Sequence, residues 1–194
     1  MIFSFTGAQS TGKTTLLRQL RLKNGNWPIE FVPEVTRLIK RVYNVPINED
    51  GGDLTQLLIM TEHVRNIYKY TKDIYQDIDI HMIFDRCALD GIVYSEWLFN
   101  SGKISRECYD ACKLIYKDLQ DKYDIIFYTS PDDVKLVDDG ERSVDKEFRD
   151  NILELFDLYM HSYKGKIIML KGSVEERLKT IKSALANFNI DIKI

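Results

Sequence analysis

A chain of 194 residues, 44% hydrophobic and 29% charged, has the length and composition of one soluble globular domain with a buried core. A net charge of −3 without a basic run gives no general support to nucleic-acid binding, which we therefore do not expect. No apolar run reaches the length of a membrane span and no signal peptide precedes the first predicted strand, so we expect a cytoplasmic protein without a membrane partner.

The first predicted elements enclose a phosphate-binding motif. Residues 1–6 form a short apolar run typical of a buried strand, and leucines recur at helical spacing after Lys13. Between them, GAQSTGKT fits G-x-x-x-x-G-K-[ST], the P-loop that cradles nucleotide phosphates. We predict that Lys13 contacts the β- and γ-phosphates of ATP and that the Thr14 hydroxyl binds Mg²⁺. The residues predicted to bind the nucleotide here are Gly7, Ala8, Gln9, Ser10, Thr11, Gly12, Lys13, Thr14 and Thr15.

Strands and helices are predicted to alternate along the rest of the chain. Further strands are expected at 29–32, 80–84, 123–128 and 166–170, and helices at 34–43, 53–76, 89–99, 105–121 and 145–162. Asp53 is predicted to cap the second of these helices, and Ser173 with Glu176 forms a capping box for the last one. This pattern predicts one α/β domain over residues 1–194, a P-loop NTPase with a three-layer α/β/α sandwich and a five-stranded parallel sheet.

The cysteines and histidines do not form a metal-binding pattern. No two of the three cysteines have C-x-x-C spacing, since they lie at Cys87, Cys108 and Cys112. The three histidines are scattered along the chain. We therefore expect buried or half-buried free thiols.

Two charged pairs lie where the active site of such a fold is expected, at the carboxyl ends of the strands. Asp85 could hold Mg²⁺ or take a proton from an attacking hydroxyl, and Arg86 could contact a phosphate; the alternative is a surface ion pair. Glu34 and Arg37 share one helix face, which suits a substrate offering hydroxyls and a polar group; the alternative is an intrahelical ion pair.

A polar, acidic segment with the sequence VDDGERS, residues 137–143, follows the fourth predicted strand. In small kinases this position holds a lid, expected here at about 130–145, whose arginine closes over the transferred phosphate. A GTPase would instead show a guanine-reading N-K-x-D run after a strand, and the fourth predicted strand is followed by TSPD.

Together, GAQSTGKT, VPEVTR, FDR and VDDGERS resemble the ribosylnicotinamide kinase domain of NadR-type proteins and the wider ATPase/kinase family around it. The resemblance spans residues 1 to about 173, and the D-D-G-x-R lid is its most specific part. It implies a stand-alone small-molecule kinase that uses ATP and Mg²⁺, without the adenylyltransferase and DNA-binding domains of full-length NadR proteins. It also places the adenine near Gly172, where a plain strand-to-helix turn is the alternative.

The predicted reaction transfers the γ-phosphoryl group of ATP to a nucleoside hydroxyl, with nicotinamide riboside as the favoured acceptor. Either Asp85 or Glu34 would deprotonate that hydroxyl, and Asp85 is favoured. The predicted catalytic residues are Lys13, Glu34, Asp85 and Arg142; the predicted acceptor-binding residues are Glu34, Arg37, Arg86, Asp138 and Asp139; the predicted metal ligands are Thr14 and Asp85.

Three other functions remain open from the sequence. A (deoxy)nucleoside monophosphate kinase of the thymidylate kinase type would need basic residues for the acceptor phosphate, which Arg37, Arg41, Arg65 and Arg86 could supply. A polynucleotide 5′-kinase would need a basic groove. A P-loop ATPase or regulator would phosphorylate no small molecule. The oligomeric state is left open between monomer and homodimer.

Overall fold

The computed structural model of the protein describes residues 1–24, 29–72, 81–131 and 146–194. Within these ranges, five parallel strands form one sheet in the order β2-β3-β1-β4-β5. The strands are β1 (Ile2–Thr6), β2 (Ile29–Val32), β3 (His81–Asp85), β4 (Ile125–Thr129) and β5 (Ile167–Leu170). The predicted five-stranded parallel sheet is therefore confirmed.

Helices connect these strands. In the described ranges they are α1 (Lys13–Lys23), α2 (Val35–Tyr43), α3 (Asp53–Lys72), α4 (Ala88–Asn100), α5 (Arg106–Leu119), α6 (Lys146–Ser162) and α7 (Val174–Ala186), with short 3₁₀ turns at Asn48–Asp50 and Gln120–Lys122. Because each β-α-β crossover returns the chain to the same edge of the sheet, the carboxyl ends of all five strands lie together.

The sheet is buried on both faces, which gives the predicted α/β/α sandwich. Strands β1 and β4 are buried at every position, as expected for central strands of a parallel sheet. Alternate side chains of β1 enter different cores: Ile2 joins the core under α3 to α6, whereas Phe3 and Phe5 join the core under α1 and α7.

The ends of several elements differ from the prediction by one or two residues, and some of these shifts affect the site. Strand β3 continues through Asp85, and Glu34 occupies the N-cap position of α2. Asp53, predicted to cap α3, is its first helical residue, and its carboxylate accepts hydrogen bonds from the backbone and side chain of Ser105. The predicted capping box of α7 is confirmed, with Ser173 as the N-cap residue.

Other expectations have these outcomes. The three cysteines are free and buried, as predicted. None of the helices in the described ranges is long and apolar enough to cross a membrane. Residues 132–145, which contain most of the predicted lid, lie outside the described residues, as does the end of the helix predicted to run to 76.

Candidate active site

The P-loop connects β1 to α1 in a conformation that depends on glycine. Gly7 and Gly12 have φ angles of 131° and 88°, and Ser10 between them also has a positive φ of 57°. A Cβ atom on Gly7 would lie 2.9 Å from both the carbonyl oxygen and the hydroxyl oxygen of Thr129 at the end of β4. The loop therefore packs directly against the neighbouring strand, at a position where only glycine fits.

Lys13 folds back onto the P-loop. Its Nζ atom donates hydrogen bonds to the carbonyl oxygens of Gly7 at 2.6 Å and Ala8 at 2.7 Å, and to Thr11 Oγ1 at 3.2 Å. Burial, together with the charge of Arg86, lowers the pKa of Lys13 to about 7. A phosphate group in the loop would bring negative charge next to Lys13 and would favour the protonated ammonium group.

Arg86 follows β3 and bonds groups at the carboxyl ends of β1 and β2. Its φ angle of 74° turns the chain sharply after Asp85. Its guanidinium group donates to Glu34 Oε1 at 2.7 Å and to Asp90 Oδ1 at 2.9 Å, and it lies 5.8 Å from the centre of the Tyr94 ring. The side chain is only 12% exposed. The alternative of a surface Asp-Arg pair is therefore wrong for this arginine.

The two candidate bases, Glu34 and Asp85, have different environments. Burial alone would raise the pKa of Glu34, but the charges of Arg86 and Arg37, which both bond its carboxylate, lower it below the ordinary value. Burial and the negative charge of Glu34 raise the pKa of Asp85 to about 6, despite the opposing charges of Arg86 and Lys13. Asp85 is thus the carboxylate closer to accepting a proton near neutral pH.

Two cavities adjoin the ion pair between Glu34 and Arg86. The P-loop cavity is lined by residues 10–15 together with Glu34, Asp85 and Arg86. The second cavity is lined by Glu34, Thr36, Asn48, Gln56, Ile59, His63, Arg86, Asp90, Gly91 and Tyr94. Since Glu34 and Arg86 line both cavities, they form the wall between them.

The second cavity carries more negative than positive side chains. Among its described lining residues, the carboxylates of Glu34 and Asp90 face one guanidinium group, that of Arg86. Burial lowers the pKa of His63 to about 4, so its imidazole is neutral at pH 7. His63 Nδ1 has no hydrogen-bond partner among the described residues. The cavity thus combines net negative charge with an unpaired polar atom.

The donor set fits a magnesium ion that arrives with a nucleotide. Thr14 and Asp85 line the P-loop cavity and offer the hydroxyl and carboxylate oxygens that Mg²⁺ prefers. The described residues contain no group of three or more histidine, cysteine or acidic side chains that could hold a metal alone. Mg²⁺ at such sites takes one or two protein ligands and completes its shell with phosphate oxygens and water.

The structure brings most of the predicted site residues together. Lys13, Thr14, Glu34, Asp85 and Arg86 converge at the P-loop cavity, and Arg37 bonds Glu34 at 2.9 Å, which is the ion pair that the sequence left as an alternative. Gly172 has a φ angle of 80° in the turn after β5. Asp138, Asp139 and Arg142 lie outside the described residues.

Sequence reasoning missed several residues of the site. Asp90 had a usable signal, because it lies four residues after Arg86 and completes a capping box with Cys87 at the start of α4. Gln56 and His63 gave no motif, since their side chains meet only through tertiary packing. Arg177, which bonds the P-loop from α7, also gave none.

Solved structures share this fold. They include the NadR protein in complex with NR (TM-score 0.74, 20% identity, covering 100% of this chain and 53% of that one) and deoxyadenosine kinase from M. mycoides (0.65, 16%, 97% and 100%). Thymidylate kinase from Candida albicans also matches (0.62, 14%, 99% and 96%). The chain spans about half the length of NadR.

No curated protein matches the chain significantly. A family model described as an AAA domain matches residues 2–177. The chain therefore belongs to the AAA domain family and has the fold of P-loop nucleoside and nucleotide kinases.

Proposed function

We propose that the protein is an ATP-dependent kinase that phosphorylates a hydroxyl group of a nucleoside, with nicotinamide riboside as the favoured acceptor. The P-loop cavity would hold ATP, and the second cavity would hold the acceptor beyond the wall formed by Glu34 and Arg86. The fold shared with NadR, whose structure was solved with NR, supports this choice.

One observation carries the choice of acceptor: the second cavity holds two carboxylates against one guanidinium group, and that group already bonds both. Two unit charges about 5 Å apart interact by about 3 kcal/mol at an effective dielectric constant of about 20. Repulsion of this size from the cavity's net negative charge would disfavour a doubly charged acceptor phosphate, whereas a neutral nucleoside would not be repelled. A cationic one, such as nicotinamide riboside, would be favoured.

The same charges weaken the case for a monophosphate kinase. Arg37 and Arg86 are bonded to acidic side chains, and Arg65 pairs with Glu62 on its own helix. These are three of the four arginines that could supply the basic groups for the acceptor phosphate. The deoxyadenosine and thymidylate kinase structures share the fold but offer no further argument for that substrate class.

In the proposed reaction, the acceptor oxygen attacks the γ-phosphorus of ATP while the bond to the β–γ bridging oxygen breaks. Asp85 receives the hydroxyl proton, and Glu34, held by Arg37 and Arg86, binds the acceptor hydroxyls. Lys13 exchanges its carbonyl partners for phosphate oxygens. When bound by Thr14, with Asp85 reaching it through a water molecule, Mg²⁺ would neutralise phosphate charge and leave a carboxylate oxygen of Asp85 free for the proton. By the sequence resemblance, Arg142 would approach the transferred group, with Asp138 and Asp139 beside it.

The test is ADP release from Mg²⁺-ATP with a panel of nicotinamide riboside, common nucleosides, their monophosphates and a 5′-hydroxyl oligonucleotide. We expect release that depends on a nucleoside. Lys13→Ala should lower kcat by about 10²-fold or more, because the lysine stabilises charge on the transferred group. Lys23→Ala, at the other end of α1, is the matched control and should leave kcat unchanged.

Two results would contradict the proposal. Faster turnover of monophosphates than of nucleosides would move the protein to the monophosphate kinases. ADP release without any acceptor would identify an ATPase or a regulator.

A further inference from the structure

We propose that Arg177, on the first turn of α7, is a positioning residue that holds the P-loop and two neighbouring turns in the arrangement that binds ATP. The inference rests on the proposed use of the P-loop for ATP. It assigns to a residue outside every recognised motif a role in nucleotide affinity.

The guanidinium group of Arg177 bonds three separate segments of the chain. Nη1 donates to the carbonyl oxygen of Thr11 at 2.7 Å, Nε to that of Gly172 at 2.9 Å, and Nη2 to that of Ser130 at 3.1 Å. The residue is 2% exposed, so these bonds are protected from water.

The three carbonyl groups follow three adjacent strands. Thr11 lies in the loop after β1, Ser130 directly after β4, and Gly172 in the turn after β5, and the sheet order places these strands side by side. One side chain therefore connects the carboxyl ends of three of the five strands. Gly172 is also the residue that the sequence resemblance places near the adenine.

The bond to Thr11 has a direct consequence for phosphate binding. In a planar trans peptide, the carbonyl oxygen of one residue and the N–H group of the next point in opposite directions. Because Arg177 draws the Thr11 carbonyl towards α7, the N–H of Gly12 is turned away from α7. Gly12 lines the P-loop cavity. Arg177 thus orients one of the backbone donors expected to bind phosphate.

Packing alone does not account for an arginine here. The buried residues of α7 around it are apolar, among them Leu178, Ile181 and Leu185, and an apolar side chain would pack with them without the desolvation cost of a charge. The planar guanidinium fork offers donors in several fixed directions, which a lysine ammonium group does not reproduce. The side chain is therefore suited to setting the positions of several carbonyl groups at once.

The experiment compares Arg177→Lys with Ile181→Ala, which creates a cavity one turn further along the same helix, in the core that contains Phe3 and Phe5, and removes no hydrogen-bonding group. We would measure binding of Mg²⁺-AMP-PNP by calorimetry, KM for ATP and for the acceptor, and thermal unfolding. Arg177→Lys should raise the Kd for AMP-PNP and KM for ATP about 10-fold or more, with KM for the acceptor unchanged. Ile181→Ala should lower the unfolding temperature and leave both nucleotide constants unchanged.

Unchanged nucleotide constants in Arg177→Lys would overturn the inference. If that variant does not fold, Arg177→Gln replaces it, and a failure of both to fold would assign Arg177 to stability and also overturn the inference. Calorimetry separates this test from that of the proposed function, because a protein that binds AMP-PNP but phosphorylates nothing still reports the effect of Arg177.

Discussion

At the scale of single residues, the P-loop leaves no room for a side chain at Gly7. A Cβ atom there would lie 2.9 Å from two atoms of Thr129, and the φ angle of 131° is unfavourable for any other residue. Gly7→Ala should destabilise the protein by about 2 kcal/mol or more, from backbone strain and overpacking together. It should also weaken ATP binding by about 10-fold or more, since the displaced loop carries the phosphate donors.

Chemical denaturation and ATP titration would measure both effects. Gly52→Ala is the control, because a Cβ atom on Gly52 would meet nothing within 4 Å. Equal stability and affinity in the two variants would show that the close contact with β4 is not a constraint.

Because His63 is buried at the second cavity, its imidazole should make the stability of the protein depend on pH. Burial lowers its pKa from the ordinary value of 6.5 to about 4, against the opposing charges of Asp90 and Glu62 and together with that of Arg86. The unfolded chain therefore binds a proton in this range that the folded protein does not. The contribution to stability is complete above pH 6.5 and is lost as the pH falls towards 4, at about 1 kcal/mol per pH unit.

We expect the difference in unfolding free energy between the wild type and His63→Gln to shrink by that amount per unit as the pH falls from 6.5 to 4.5. Urea unfolding at several pH values measures it. His161→Gln, which removes an exposed histidine of α6, is the control for the loss of a histidine outside the cavity. A pH-independent difference for His63→Gln would mean that the imidazole is accessible to protons in the folded protein.

At the scale of elements, Ser105 joins α3 and α5, two helices that cover the core under α3 to α6. Its Oγ atom accepts from Cys108 N as the N-cap of α5 and donates to Asp53 Oδ2 at the start of α3. Ser105→Ala should cost about 1 kcal/mol, the usual value of an N-cap, and lower the unfolding temperature by about 2–4 °C in a protein of this size. Ser101→Ala, an exposed serine at the end of α4, should change it by less than about 1 °C by the same scaling. Similar shifts in the two variants would contradict the capping role.

The helices and strands were largely predictable from the sequence, because the hydrophobic pattern that indicates each of them lies within its own segment. Runs such as MIFSFT and YDIIFY are mostly apolar, without strict alternation, because both faces of the sheet are covered, and helices such as α5 carry a regular apolar stripe. The ends of the helices and strands were less predictable, because they depend on hydrogen bonds between residues that are far apart in the sequence. Asp53 looked like a cap for its own helix, but its carboxylate is used by Ser105, 52 residues further along the chain.

At the scale of the whole molecule, the site divides into a predictable and an unpredictable part. The P-loop, Asp85 and Glu34 could be found because each lies at or within two residues of the carboxyl end of a strand, and parallel strands bring such positions to one edge. The second cavity could not be found as a whole, because apart from Glu34 and Arg86 its lining comes from α2, α3, α4 and the turn at Asn48, whose side chains are individually ordinary. Its net charge appears only when Glu34, Arg86 and Asp90 are placed together.

Nucleotide binding should be visible as a change in the stability of the whole protein. A ligand that binds only the folded state at 100 times its Kd adds about 2.7 kcal/mol, which raises the unfolding temperature by about 5–10 °C for a chain of this length. Mg²⁺-ATP should produce this shift. AMP should produce much less, because the P-loop N–H groups and Lys13 face the β- and γ-phosphates in the proposed complex.

The same measurement separates phosphate recognition from general nucleoside binding. Lys13→Ala should lose most of the ATP shift while Lys23→Ala retains it, and removal of Mg²⁺ with a chelator should reduce the shift of the wild type, since the phosphate charge is then left uncompensated beside Asp85. An AMP shift equal to that of ATP, retained in Lys13→Ala, would mean that the base and sugar supply the affinity. The P-loop cavity would then not be the triphosphate site on which the proposed reaction depends.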